Sequence, residues 1–474
     1  MKKILALLLI AVFFAGCSED IMDDINRDRN NASHLEARFM LPTVILKTAV
    51  ETYAHDIAWY ASVFVEHNAG TWGQHFTADR RTNVNEASLM NNAWNRLYTV
   101  QMILKDIRTK TAPDGPEAAN NVLLGIAQVL TATNLAMTTD MWNKAPWTEA
   151  LQGSANYQPV YDEPQDIYAD VFELLENGIT NLSTPISAPL FTAMRPLDLL
   201  YGHITDQTAY RNAWIRLANS FKARYSMRLL NVDNEALAKV AAAIPNGFAA
   251  AADQALFTKY EAVATRYNPW AEFEAGRMHF STSSTLYNLM NQRNDPRMSF
   301  YFSTVGGVIV PAPIGNADQT QGGIYSRSLF SAWTAANQRR PTPIMTFHEL
   351  LFIEAEMLQR TGGDWQTVLQ EAITANFTYH GITADPVAYF NSLNLASPLE
   401  EIMTQKYIAM YEFEAIEAYN DYRRTGIPTM HNPQNAIYGF VHRFPYPESE
   451  VSNNSANVPV VNAFHDRVWW AKQD

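Results

Sequence analysis

Cysteine is almost absent: Cys17 is the only one in 474 residues, so no disulfide can form within the chain. Basic residues are also scarce. Thirty-five Lys and Arg against 48 Asp and Glu give a formal charge of −13, which argues against a nucleic-acid partner, since affinity for a phosphate backbone comes mostly from Lys and Arg. Long apolar runs are missing as well. The run Ile4–Ala15 falls short of the roughly 20 residues a membrane-crossing helix needs, and no later segment is uniformly apolar over that length. Catalytic signatures are lacking too, with no Gly-x-Ser-x-Gly elbow, no Walker loop and no dinucleotide fingerprint. His348-Glu349 begins like a zinc-protease helix, but Phe352 stands where the second histidine would be. The 11 histidines show no ligand-like spacing, so neither a metal nor another cofactor is expected.

What is present begins at the N-terminus. Lys2 and Lys3 precede the apolar run, and the small pair Ala15-Gly16 leads into Cys17, which is the layout of a signal peptide over residues 1–16. Phe14-Ala15-Gly16-Cys17 resembles a bacterial lipobox, with Phe14 where leucine is usual; Cys17 is then the acylated N-terminus of the mature chain. Several acyl chains on one residue hold a protein stably on a bilayer. Residues 17–33 are polar and charged and suit a flexible tether, and Ser18-Glu19-Asp20 resembles an export signal to the outer face of the outer membrane. Loss of Lys2 and Lys3 with the leader leaves the mature protein more acidic still.

From residue 34 to 474 a single domain is expected, because 47% hydrophobic and 18% charged residues suit a large globular body. Its class is mainly α. Pro116 is expected to open a helix through Leu123, Leu124, Ala127, Leu130 and Thr131, whose spacings put one apolar stripe on one face. Tyr210, Trp214, Leu217, Phe221 and Tyr225 repeat the pattern. A helical hairpin starts at Thr346, which with Glu349 forms a capping box, carries Phe347, Leu351, Ala355 and Leu358, and stops at Gly362-Gly363. Asp364 caps its second arm. Another helix is expected to carry Ile408, Tyr411, Ala415, Ala418 and Tyr422 on one face. Repeated pairs of this size suggest a scaffold of tetratricopeptide-like helix pairs. Between about 265 and 343, Gly, Ser, Asn and aromatics predict a loop-rich insertion with short helices and minor β structure, including strands at Ser299–Thr304 and Val308–Val310.

Several motifs, spread over nearly the whole mature chain, resemble the SusD/RagB family and in particular its SusD-like branch. They are Thr139-Asp140-Met141-Trp142 with Ala145-Pro146-Trp147 and Glu149-Ala150, in which Asn143 and Trp147 replace the usual Gly and Tyr; Asn294-Asp295-Pro296-Arg297; Pro343 and Met345-Thr346 leading into Glu349, Glu354, Ala355 and Glu356; Gln405-Lys406-Tyr407 through Glu417 to Pro428; and Arg443 with Pro445-Tyr446-Pro447, Glu450, Asn454 and Asn457. Their chemistry is mostly architectural. The resemblance implies four tetratricopeptide-like helix pairs closing like a lid over a SusC-like TonB-dependent transporter. It also implies capture of an oligosaccharide or peptide ligand without turnover.

Sugar rings offer apolar faces, and flat aromatic side chains supply what hydroxyl hydrogen bonds, made at the expense of water, do not. Of 11 Trp, 22 Tyr and 23 Phe, those in loop-rich stretches are the stacking candidates: Trp72, Tyr267, Trp270, Tyr325 and Trp333, with Arg80 and Asn268 as hydrogen-bonding neighbours. Two other readings stand beside this one. A helical-barrel glycoside hydrolase needs two carboxylates flanking a bond, for which Asp140 and Glu149 are the nearest pair. A structural envelope lipoprotein needs neither ligand nor transporter.

Overall fold

The computed structural model describes residues 35–84, 87–431 and 439–472. Cys17, the signal peptide 1–16 and the tether 17–33 lie outside the described residues.

Helices carry the architecture. The main ones are α1 (Asp56–Phe64), α2 (Gly73–Asp79), α3 (Asn91–Thr111), α4 (Asn121–Trp142), α5 (Pro164–Ser183), α6 (Gln207–Arg228), α7 (Ala236–Ala243), α8 (Pro269–Arg277), α9 (Ser284–Gln292), α10 (Phe347–Thr361), α11 (Trp365–His380), α12 (Pro398–Ala409) and α13 (Ala415–Thr425). Sheet is limited to two antiparallel pairs: β1 (Asn68–Gly70) with β3 (Phe280–Thr282), and β2 (Ala255–Phe257) with β4 (Thr342–Met345). Successive helices pack in pairs, α3 on α4, α4 on α5, α5 on α6 and α10 on α11, as tetratricopeptide-like repeats do. Their apolar faces merge into one buried cluster running from Ala37 to Ala471.

α4 lies at the centre. It is 22 residues long and apolar enough by composition to cross a bilayer, yet nearly all of it is buried inside the protein. It begins at Asn121, later than Pro116 implied, because the Asn120 side chain accepts the Leu123 N–H at 3.2 Å and so fixes the cap there. Pro116 sits in the preceding turn, where Glu117 instead reaches the Ala37 N–H at 2.9 Å. At the other end Asn143 has φ +67° with ψ −83°, a positive-φ backbone that glycine, usual at this place in the motif, adopts without steric cost. The C-terminal segment clasps this end: Trp142 Nε1 donates to Pro445 O at 2.8 Å and the Tyr446 hydroxyl to Lys144 O at 2.7 Å.

The α10/α11 hairpin forms where Thr346 and Gly362 place it. Thr346 Oγ1 accepts the Glu349 N–H at 3.2 Å, and Gly362 ends the helix at φ +80°. Glu349 does not complete the capping box, because its carboxylate is taken by Arg224 of α6, at 2.7 and 2.5 Å. The helix expected through Ile408 and Tyr422 is two helices. Met410–Glu414 break it, with Glu412 at φ +68°. Ser299–Thr304 is not a strand either: Arg297 O accepts from Phe300 and Tyr301, winding Met298–Tyr301 into a helical turn. Around Val308 there is only a bridge to Val305 across Gly306-Gly307.

A buried charge network ties the pairs together. Arg228 of α6 bonds Asp140 of α4 and Glu417 of α13, and Arg224, one turn earlier, holds Glu349 of α10 and lies 3.9 Å from Glu417. Asp140 also accepts from the Tyr168 hydroxyl at 2.6 Å and Trp470 Nε1 at 2.8 Å. A second knot pairs Arg424 with Glu356 at 2.7 and 2.6 Å and with Asp421 at 2.9 Å, while Lys406 reaches Asp421 at 2.7 Å. The Asn294–Arg297 motif makes a third: Asp295 and Arg297, both fully buried, pair at 2.6 Å, and Arg297 reaches Asn376 of α11 and Gln405 of α12. Removing one member leaves its partner buried and uncompensated. Arg228→Ala is therefore expected to lower the unfolding free energy by about 3–5 kcal/mol in urea titration; a loss under about 1 kcal/mol would remove the network from the account of stability.

Candidate ligand-binding cleft

The loop-rich stretch folds over α8. Asn268 caps this helix through the Trp270 N–H at 2.9 Å and donates from Nδ2 to Arg340 O at 2.9 Å, which ties the start of α8 to the end of the insertion. Pro269 follows at the first helical position. Above the helix opens a cleft of about 440 Å³ lined by Glu274, Met278, Ser303, Arg327, Ser328 and Trp333, among others.

Its wall is held rigidly. Asn337 Nδ2 donates to Leu329 O at 2.8 Å and to Ala332 O at 2.9 Å, and Thr334 caps the short helix Ala335–Gln338. The loop between is pinned at both ends, so Trp333 is presented 49% exposed on a fixed backbone. Its ring meets Tyr267 edge-on, with centroids 4.8 Å apart and planes at 73°. A large aromatic held this far out of the core is poor packing and a good stacking surface.

The floor is polar. Glu274 is buried and ion-paired with Arg327, and burial pushes its carboxyl up against the pull of that guanidinium. Glu412, 1% exposed, accepts from Ser328 Oγ at 2.5 Å; burial, with the Glu274 charge adding, pushes it up to about 7. Serine hydroxyls and a neutralised Arg–Glu pair suit a neutral polyhydroxyl ligand better than an anion.

The seven candidate ligand residues divide into three groups. Trp333 lines the cleft, whereas Tyr267, which touches its ring, lines a separate hollow with Lys47, His55 and Lys259. Trp72, Arg80 and Tyr325 belong to an adjoining surface, where residues 315–325 cross α2: Thr320 N donates to Thr71 O at 2.9 Å, Gly315 N to Asp79 at 2.6 Å, and the Tyr325 hydroxyl accepts from Asp318 N at 3.1 Å. Trp72 is half-buried, and Arg80 lies over the Phe76 ring at 5.0 Å. Trp270 and Asn268 present nothing to solvent. The Trp270 ring is wholly buried against Trp59, Phe280 and Phe413, and the Asn268 amide is used by the cap. Both follow from α8 packing inward from its first turn. Glu274, Arg327, Ser328 and Glu412 carry no sequence signal beyond their place in or beside the insertion.

Under the adjoining surface His75 and His279 face each other with Nδ1 atoms 3.0 Å apart. Burial holds both neutral, His279 down to about 4. Among the described residues no group of three or more His, Cys, Asp or Glu is arranged to hold a metal ion. Asp140 is locked in the charge network, while Glu149 accepts from Asn156 at 3.1 Å, so neither stands free across an open cleft.

Helix pairs carrying a pinned, aromatic-edged cleft define a ligand-binding scaffold. The family model described as "Starch-binding associating with outer membrane" matches residues 29–447, and the chain belongs to this SusD-like family. Among solved structures, a SusD/RagB family protein from Bacteroides thetaiotaomicron is 28% identical with a TM-score of 0.81, covering 93% of this chain and 100% of the other. A chitin-binding SusD homolog from Flavobacterium johnsoniae is 18% identical with a TM-score of 0.73, covering 91% and 98%. No curated protein matches the chain.

The raised Glu412 carboxyl has a consequence for pH. Its ordinary value is 4.5, so between about 4.5 and 7 the folded protein keeps a proton that the unfolded chain has released. Its contribution to stability therefore falls as pH rises through that window and levels off above it. Glu412→Gln is expected to flatten this fall in thermal unfolding followed from pH 4.5 to 7.5; parallel curves for the two proteins would contradict it.

Proposed function

We propose that the protein is a cell-surface lipoprotein that captures glycans in the Trp333 cleft and delivers them, chemically unchanged, to a TonB-dependent outer-membrane transporter of the SusC type. The observation that carries this reading is Trp333 itself: half exposed, edge-packed on Tyr267 and fixed by Asn337 in a cleft lined by Ser303, Ser328 and Arg327. Membership of a starch-binding, outer-membrane-associated family supports the ligand class and the location. The lipobox-like segment ending at Cys17 supports the anchor.

Binding without turnover is supported by where the acids lie. A hydrolase needs two carboxylates open to the scissile bond, about 5–10 Å apart. Here Glu412 is covered by Ser328 and Glu274 is taken up by Arg327.

Titration calorimetry with starch-derived and chitin-derived oligosaccharides tests the cleft. Trp333→Ala is expected to weaken the bound glycan by about tenfold or more, as loss of a central aromatic anchor does, with the melting temperature unchanged because the ring contributes little to the core. Equal affinity in the variant and the parent would move the site elsewhere. For the anchor and partner, Cys17→Ser is expected to release the protein from the outer membrane. A TonB-dependent barrel is expected to co-purify with the parent protein in mild detergent, and its absence would refute the delivery step.

A further inference from the structure

A larger cavity lies on the helical scaffold, outside the glycan cleft. It is a groove of about 770 Å³ between the α10/α11 hairpin and the segment that carries β2 and Arg340-Pro341. That volume is in the range of small-molecule sites, which are mostly apolar with a few polar groups that fix orientation. The walls fit this description. Leu256, Phe347, Leu351 and Ala375 supply hydrocarbon, and the polar groups divide between the two ends.

At one end stand Arg340, His348 and Tyr379. The Arg340 guanidinium lies over the Phe330 ring at 4.5 Å, and its hydrogen-bond partner is the Asn337 amide oxygen at 3.2 and 3.4 Å. No carboxylate among the described residues lies within ion-pairing distance of it. Burial accordingly pulls its pKa below the ordinary arginine value. His348 is occupied by Glu414 at 3.0 Å, but the Tyr379 hydroxyl, at the same end, makes no hydrogen bond among the described residues. A half-buried cation and a free hydroxyl donor, set at one end of an apolar trough, are complementary to a carboxylate. Negative charge stands in two places: behind Tyr379, where Glu414 is taken up by His348 at 3.0 Å and by the Thr346 hydroxyl at 2.8 Å, and on the exposed rim, where Glu371 lies near Glu354. A second anionic group on the ligand would be repelled there.

We propose that this groove is a second binding site, for a small apolar monocarboxylate whose hydrocarbon body lies along Phe347, Leu351 and Ala375 and whose carboxylate accepts hydrogen bonds from Arg340 and Tyr379. The site is separate from the Trp333 cleft and does not rest on the glycan reading.

Calorimetry of the purified full-length protein with 4-phenylbutyrate and with its neutral amide tests this. The acid is expected to fill one saturable site, with the amide binding at least tenfold more weakly. Tyr379→Phe is expected to weaken the acid severalfold. Ala375→Trp, which fills the trough from a half-buried position on α11, is expected to abolish binding while circular dichroism remains that of the parent. Equal binding of acid and amide would overturn the proposal. So would unchanged binding in Ala375→Trp, or no saturable binding of the acid, in which case the groove is a surface for a protein partner.

Discussion

The arginines of α6 are the constraint on which the rest of the molecule depends. Arg224 and Arg228 sit one turn apart and fully buried, and between them they hold carboxylates from α4, α10 and α13, elements spread over almost 280 residues of chain. Burying such charges carries a large desolvation cost, and an apolar core of the same shape could be as stable. What the network fixes is which helices meet: α6 is tied by charge to α4, α10 and α13. Tyr168 and Trp470, both bonded to Asp140, extend the same constraint to α5 and to the C-terminal segment.

The cleft inherits its rigidity from this scaffold. Glu412 lies in the break between α12 and α13, and α13 is held through Glu417 and the Arg424 knot. Ser328 bonds Glu412, Arg327 bonds Glu274, and Asn337 fixes the loop that carries Trp333. The proposed binding surface is thus a loop segment fastened at several points to helices, with little conformational entropy left to lose on binding a ligand.

The helical part of this architecture was largely legible in the sequence. The stripe Tyr210 to Tyr225 and the Thr346 to Gly362 helix follow from period and caps, because local rules decide them. Two departures come from local contacts, the Asn120 cap in place of Pro116 and the Arg297 carbonyl that winds residues 298–301; elsewhere a distant partner outcompetes a local one. Glu349 gives up its capping role for Arg224, and a helix-like stripe is broken at Glu412 because that carboxylate reaches Ser328. The candidate cleft, as distinct from any tested ligand contact, was half legible. Aromatics in a loop-rich stretch pointed to Tyr267 and Trp333, but composition could not distinguish exposed Trp333 from buried Trp270, which turns inward on α8. Nothing in the spacing of Glu274, Arg327 and Ser328 announces that they line one cleft, with Glu412 buried behind Ser328. Asn143 was visible as a departure from the family pattern, and its positive φ gives the physical reason why Gly is usual there.

Family membership and cleft geometry both support the proposal of a glycan-capturing protein, with an exposed aromatic ring at the cleft and polar groups lining it. Hydrogen–deuterium exchange of the full-length chain, with and without a saturating starch-derived oligosaccharide, addresses this most directly. Protection is expected to be confined to residues 267–278 and 327–338, with exchange in α4, α5 and α6 unchanged. Protection elsewhere, with none in those two segments, would contradict it.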